Sequence, residues 1–405
     1  MRLSRLLLSA FLIIYSLPLP AQRAEVRERP AGEPAGLIDE KATRKTRILY
    51  KNLQALAKQG TLFGQHEAMA YGVGWKAEAG RSDVKEISGS YPAVHGWDLG
   101  KIGTENSING VPFKEVRRYI RQVYRRRGIN TVAWHMDNLL SGGNSWDTTY
   151  VVKDMLPGGK AHAAYLEKLD LAAKFLKRCR INFFTPIPII FRPFHEHNGD
   201  WFWWGKGYAT EEEFIQLWQF TVDYLKEEKK VHNLIYVFSP DRSRMDLEKG
   251  KEAYLYGYPG DDYVDIIGLD DYWDMGFEGN PKPLAEQKVD LIRSLKLISE
   301  LALKKGKLAA LTETGLDKLT VPDWYTAHLL GALKAELEPL QISYVMVWRN
   351  AHTGHHYSPY KGHPAEQDFR EFCRDERILL EDDIRNVYRR NKLLLSSRKK
   401  QQQRE

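Results

Sequence analysis

Cysteine is scarce: Cys179 and Cys373 are the only two in 405 residues, too few for a disulfide framework. Both fall in expected helices far apart in the chain, so free buried thiols are expected rather than a bridge. No glycine-rich phosphate loop follows the first strand-like run, which argues against a doubly wound nucleotide-binding sheet. No serine stands on a strand-to-helix elbow, which removes the usual signature of a serine hydrolase. His352, His355 and His356 cluster, but in a glycine-containing loop without the helical His-Glu-x-x-His spacing, so no metal site is expected. Zinc fingers and other nucleic-acid motifs are missing as well, and no nucleic-acid partner is expected. The apolar stretch Leu6 to Leu17 is short for a membrane span, and no later segment is apolar enough to be one.

The charge is present but misplaced for a polyanion-binding domain. Between Arg385 and Glu405 stand eight Lys or Arg and one acid, which accounts for the whole net charge of +7. Residues 385–405 therefore read as a basic, solvated C-terminal tail. At the other end, Arg2 and Arg5 precede the apolar stretch, and Leu-Pro-Leu-Pro-Ala21 offers small residues for cleavage. Residues 1–21 read as a signal peptide, 22–36 as a flexible leader, and 37–384 as one domain of an exported, soluble monomer.

Within that domain, β-like runs alternate with helix-period segments. The runs are Thr61–Gln65, Pro92–Asp98, Ile129–His135, Ile187–Phe194, Asn233–Ser239, Val264–Asp270, Lys307–Thr312 and Ile342–Trp348. Between or after them lie helical segments at Phe113–Arg127, Ala161–Arg180, Glu211–Glu228, Glu286–Lys305, Trp324–Leu337 and Glu366–Arg374, with Thr210 placed to cap the third. Eight such units predict an α/β fold, a closed (β/α)₈ TIM barrel. Polar or aromatic residues stand at nearly every strand's C-terminal end, the face where such barrels build active sites.

Two strand ends carry chemistry. Ile187 to Phe191 is an apolar run followed by His195, Glu196, Trp201, Trp203 and Trp204. A carboxyl group beside indoles suggests a sugar site, since it can move a proton while flat rings stack on a pyranose. Leu311-Thr-Glu-Thr-Gly315 places Glu313 at the end of the seventh run, as Glu196 ends the fourth. A retaining glycosidase needs two such groups about 5–5.5 Å apart.

The stretch Arg-Pro-Phe-His-Glu-His-Asn-Gly-Asp-Trp-Phe-Trp-Trp-Gly around Glu196, with Thr-Glu-Thr-Gly around Glu313, resembles glycoside hydrolase family 26. Tyr91 to Asp98, Tyr258 to Tyr272 and Val347-Trp-Arg-Asn350 match too, so the likeness covers about Gly60 to Phe372. The resemblance implies an endo-β-1,4-mannanase acting by double displacement on mannan, galactomannan or glucomannan, without metal or organic cofactor. Glu196 would be the acid/base, Glu313 the nucleophile, and Tyr272 a donor to Glu313. His195 would stand near the sugar's 2-hydroxyl, and Trp348 under the ring of the −1 sugar. His135 would be a further −1 contact and Trp201 a ring beside the acid/base, with Asp270 and Arg349 as more distal sugar contacts. Trp146 and Trp75 are not assigned to the cleft. The same residues leave open another β-glycan (mixed-linkage glucan or β-1,3-xylan), exo-acting release of mannobiose, or a glycan-binding barrel without catalysis.

Overall fold

Every run that read as a strand is one, and together they close. The computed structural model describes residues 36–335, 340–391, 393–397 and 399. Its barrel strands are β1 (Thr61–His66), β2 (Val94–Asp98), β3 (Ile129–Trp134), β4 (Ile189–Pro193), β5 (Leu234–Phe238), β6 (Ile266–Asp271), β7 (Leu308–Thr314) and β8 (Ile342–Val347). Each pairs in parallel with the next, and β8 returns to β1 with Leu62 opposite Tyr344 and Gln65 opposite Val347. All the residues of these strands are buried, as expected when a parallel sheet is packed on both faces.

The main helices are α1 (Arg44–Ala57), α2 (Phe113–Arg126), α3 (His162–Arg178), α4 (Glu211–Asp223), α5 (Leu284–Lys305) and α6 (Glu366–Arg374). Thr210 caps α4 as expected: its side chain accepts from the Glu213 amide, while Glu213 accepts from the Thr210 amide at 2.9 Å. The segment expected as a helix from Trp324 is π-helical over Trp324–Leu330 before Gly331–Leu333. Cys179 caps α3 and Cys373 lies in α6, both buried and free. Among the described residues, no helix is long and apolar enough to cross a membrane.

Helix α1 and the C-terminal segment depart from the sequence expectation. Leu49, Tyr50, Leu53 and Leu56 of α1 pack with Val387, Tyr388, Leu394 and Leu395 beneath the strand starts Leu62, Val94 and Ile129. Asn52 donates to the carbonyls of Val387 (2.7 Å) and Arg389 (2.9 Å), and the Tyr388 hydroxyl donates to the Gly128 carbonyl. The described part of 385–405 is therefore no solvated tail but the barrel's floor. Arg389 and Arg390 face outward and Lys399 is buried, while the apolar residues between them fill the N-terminal end of the barrel. Residues 1–35, which hold the expected signal peptide and nearly all of the leader, lie outside the described residues.

Candidate active site

The end of β4 is an unusual piece of backbone. Phe194 and Glu196 both take left-handed conformations (φ 48° and 53°) around His195. Such conformations cost non-glycine residues roughly 1–3 kcal/mol each, so the surroundings must hold them. They do so with hydrogen bonds. The Glu196 amide donates to the Ser239 carbonyl at 2.8 Å, and Asn198 and the Asp241 backbone exchange two bonds of 2.7 Å. The Trp204 indole N–H donates to the His195 carbonyl, and that of Trp203 to the Met136 carbonyl, both at 2.8 Å. Trp203 and Trp204 are fully buried. Expected among the sugar-stacking indoles, they are instead the braces of the His195–Glu196 turn.

Trp201 alone of the three reaches the cleft. Its indole N–H donates to Glu196 Oε2 at 2.7 Å, fixing the carboxyl group. Gly199 makes this possible: a Cβ there would stand 2.5 Å from the Trp201 ring.

At the end of β7 a bulge aims the second carboxylate. Leu269 pairs with Leu311, but Asp270 pairs with Glu313, leaving Thr312 as the extra residue. Thr312 Oγ1 is hydrogen-bonded to the Leu269 carbonyl at 3.0 Å and lies 2.6 Å from Asp270 Oδ1. Glu313 is thereby set beside Asp270, and Arg192 of β4 donates to both carboxylates across the barrel. The Tyr272 hydroxyl donates to Glu313 Oε1 at 3.0 Å, so each carboxylate oxygen of Glu313 has a donor. Asp270 is completely buried. Expected as a distal sugar contact, it instead lies under the cleft floor, bonded to Arg192 and Thr312.

The two glutamates sit in different fields. Burial drives the Glu196 carboxyl well above the usual range, and Asp241, Asp270 and Glu313 push it further, against the Trp201 N–H. Arg192 stays a cation: burial opposes its charge, but Asp270 and Glu313 more than compensate. The Tyr272 hydroxyl is likewise raised by burial and by Glu313, so it remains a donor. Asp241 is itself pushed up to about 6, chiefly by burial, so its charge acts on Glu196 mainly above that pH. Replacing Asp241 by Asn should lower the Glu196 pKa and move the alkaline limb of the pH–rate profile toward acid. A pH series of kcat/KM checks this, and an unmoved alkaline limb would remove Asp241 from the field at Glu196.

On the β1–β3 side of the mouth, His135 and His195 meet edge to face with their Nε2 atoms 3.2 Å apart. Burial and Arg192 keep the His195 imidazole neutral. Trp348 lies partly exposed against His66 (ring centroids 4.4 Å) and edge-on to His135 (6.1 Å). Gly96 of β2 permits that packing, because a Cβ there would meet the His66 ring at 2.5 Å. Arg349 is partly exposed beside Tyr71 and Glu67. Trp146, which the sequence left unassigned, is half exposed and stacks on His135 with centroids 5.4 Å apart. The structure thus brings Glu196, Glu313, His135, His195, Trp201, Tyr272, Trp348 and Arg349 to one end of one barrel.

Sequence reasoning missed Arg192, Thr312, Asp98 and Asp241 as parts of the site. Arg192 carried a signal, since a cation inside the run Ile-Ile-Phe-Arg-Pro must find an anion within the barrel. The Thr312 bulge carried none, because register is a property of two strands together.

Comparison with known proteins gives the same reading of the chain. The family model for glycosyl hydrolase family 26 matches residues 38–323. A mannan endo-1,4-beta-mannosidase from Bifidobacterium adolescentis is 34% identical over 384 residues; these cover 89% of this chain but 37% of that protein. A family 26 beta-mannanase from Bacteroides ovatus superposes with a TM-score of 0.80 at 38% identity, covering 87% of this chain and 99% of that one. An endo-beta-1,4-mannanase from Cellulomonas fimi does so with a TM-score of 0.79 at 33% identity, over 88% and 79% of the two chains. The chain thus spans well under half the length of its Bifidobacterium relative, and nearly all of the Bacteroides structure.

Proposed function

Because the chain belongs to glycosyl hydrolase family 26, we propose that it is a retaining endo-β-1,4-mannanase, with Glu196 as acid/base and Glu313 as nucleophile. The observation that carries this reading is the unequal treatment of two buried glutamates at one barrel mouth. Glu196 is pushed toward its protonated form by burial and by neighbouring carboxylates. Glu313 is gripped by Arg192 and Tyr272. One is poised to give a proton and the other to attack.

In the first step a Glu313 oxygen forms a bond to the anomeric carbon as the glycosidic C–O bond breaks. The departing oxygen takes the Glu196 proton. In the second step Glu196, now a carboxylate, removes a proton from water. That water attacks the anomeric carbon, releasing Glu313 and restoring the original configuration. Tyr272 and Arg192 keep the Glu313 carboxylate in plane for both steps. Trp348 supplies a flat apolar surface beside the two histidines, and Trp146 extends that wall on His135. The relatives named for mannan cleavage support mannan as the polymer.

Early products from mannohexaose, unbranched mannan, galactomannan, lichenan and β-1,3-xylan test the reading. Mixed manno-oligosaccharides, released first as β-anomers by proton NMR, are the expected result. Mannobiose alone would make the enzyme exo-acting, α-anomers would overturn the retaining mechanism, and cleavage of lichenan or xylan instead would overturn the substrate. Binding without products from any glycan would leave a carbohydrate-binding barrel.

A further inference from the structure

A buried chain of three side chains runs behind the site. Asp98, the last residue of β2, is fully buried, and one of its carboxylate oxygens lies 2.5 Å from His135 Nδ1. Its other oxygen accepts the backbone N–H groups of Gly100 (2.6 Å) and His135 (3.2 Å). His135 then meets His195 through their Nε2 atoms at 3.2 Å. His195 Nδ1 is buried and has no hydrogen-bond partner among the described residues. Three strand ends thus contribute one residue each to a line that stops beside Glu196.

The proton count along this line is constrained. A carboxylate can only accept, so a proton must lie on His135 Nδ1. Burial opposes charge on Asp98, yet His135 and the two amides hold its carboxyl below the usual range. Glu67, its acidic neighbour, is pushed by burial up to about 8 and leaves Asp98 as the charged member at neutral pH. Two Nε2 atoms in contact need one proton between them, not two and not none. The shared proton belongs to His195 Nε2, because placing it on His135 Nε2 would leave the His195 proton on its buried, partnerless Nδ1. The partnerless Nδ1 of His195 is then an acceptor, which is less costly to bury unpaired than an N–H donor.

We propose that Asp98 is a positioning residue for the reaction: through His135 it fixes His195 in the Nε2–H tautomer, so that the Nε2–H donates to His135 and holds the imidazole in one orientation beside Glu196. The proposal rests on the reading of the site as a glycosidase for its consequence in catalysis, but not for its proton arrangement. The relay matters because a reversed line would put the His195 proton on its buried, partnerless Nδ1 and loosen the ring that leads into Glu196. The substitution Asp98→Asn would reverse the line. Its side-chain amide can donate to His135 Nδ1, which would move the proton to His135 Nε2 and force His195 to the Nδ1–H form.

The test is ¹⁵N NMR of the full chain labelled at histidine, without substrate, resonances being assigned through variants lacking each ring. Wild type at pH 7 should show His135 protonated at Nδ1 only and His195 at Nε2 only. The reverse pattern, or a doubly protonated His135, would overturn the relay even if D98N does not fold. D98N should exchange the protonated nitrogen in both rings and lower kcat/KM on mannohexaose by roughly 10–100-fold, the range seen when the outer partner of a metal-bound histidine is removed. Lost activity with unchanged tautomers would make Asp98 merely structural; exchanged tautomers with unchanged activity would remove its role in positioning. If no mannan is cleaved at all, the spectra still decide the proton arrangement, and the fault lies with the functional reading.

Discussion

Replacing Glu196 by alanine is expected to cut turnover of unactivated mannan by about 10²–10⁴-fold, the usual worth of a positioned acid or base. The loss should depend on the leaving group. A mannobioside of 2,4-dinitrophenol departs without a proton, so formation of the glycosyl-enzyme should be spared while its hydrolysis slows. A burst of dinitrophenolate followed by a slow steady state is then expected. Azide, which needs no base, should restore turnover and yield the β-mannosyl azide. Equal losses on both substrates, with no burst and no rescue, would take the proton-transfer role away from Glu196. The prediction rests on the observed setting of this carboxyl group, buried, bonded to Trp201 and surrounded by other acids.

The second large effect belongs to a residue that touches no sugar. Arg192 is 2% exposed and is the cation shared by Asp270 and Glu313. Arg192→Met keeps an unbranched apolar stem but removes the guanidinium, leaving two adjacent buried carboxyl groups without their counter-charge. Breaking a buried pair this way costs about 3–5 kcal/mol. For a domain of this size that corresponds to a fall in Tm on the order of 10 °C. Activity should fall further than stability, because Glu313 loses one of its two donors. Adding Asp270→Asn removes one of the stranded charges, so the double variant should recover much of the melting temperature but little of the activity. A single variant that melts within about 2 °C of wild type, measured alongside it, would show that Arg192 is not the electrostatic centre of the barrel.

Much of the architecture was legible because its signals are local. A parallel barrel strand is buried on both faces, so Ile-Pro-Ile-Ile-Phe and Val-Asp-Ile-Ile-Gly-Leu announce themselves without partners. The two glutamates were legible for the same reason, each standing directly after such a run. The features that stayed hidden are relational. Asp270 looked like a residue at the mouth, and only the pairing of β6 with β7 turns it under the cleft. Trp203 and Trp204 looked equivalent to Trp201, yet the left-handed turn at Glu196 sends them into the core. Helix α1 was unrecognised amid its lysines and arginines, although Leu49, Leu53 and Leu56 already marked one face. The C-terminal segment was misread by charge alone, because Tyr388, Leu394 and Leu395 are diluted by cations along the chain but concentrated on one side in space.

The floor built by α1 and that segment also fixes where the molecule can be held. Ile38 donates its amide to Asp265, just before β6, and Lys399 donates to the Asp375 carbonyl, beyond α6 and just before the chain returns to β1 at Ile378. Both ends of the described chain therefore emerge opposite the mouth. A bead or a carrier protein coupled to this face would hang from the underside, and the opening would stay turned outward toward a polymer too large to diffuse around an obstacle.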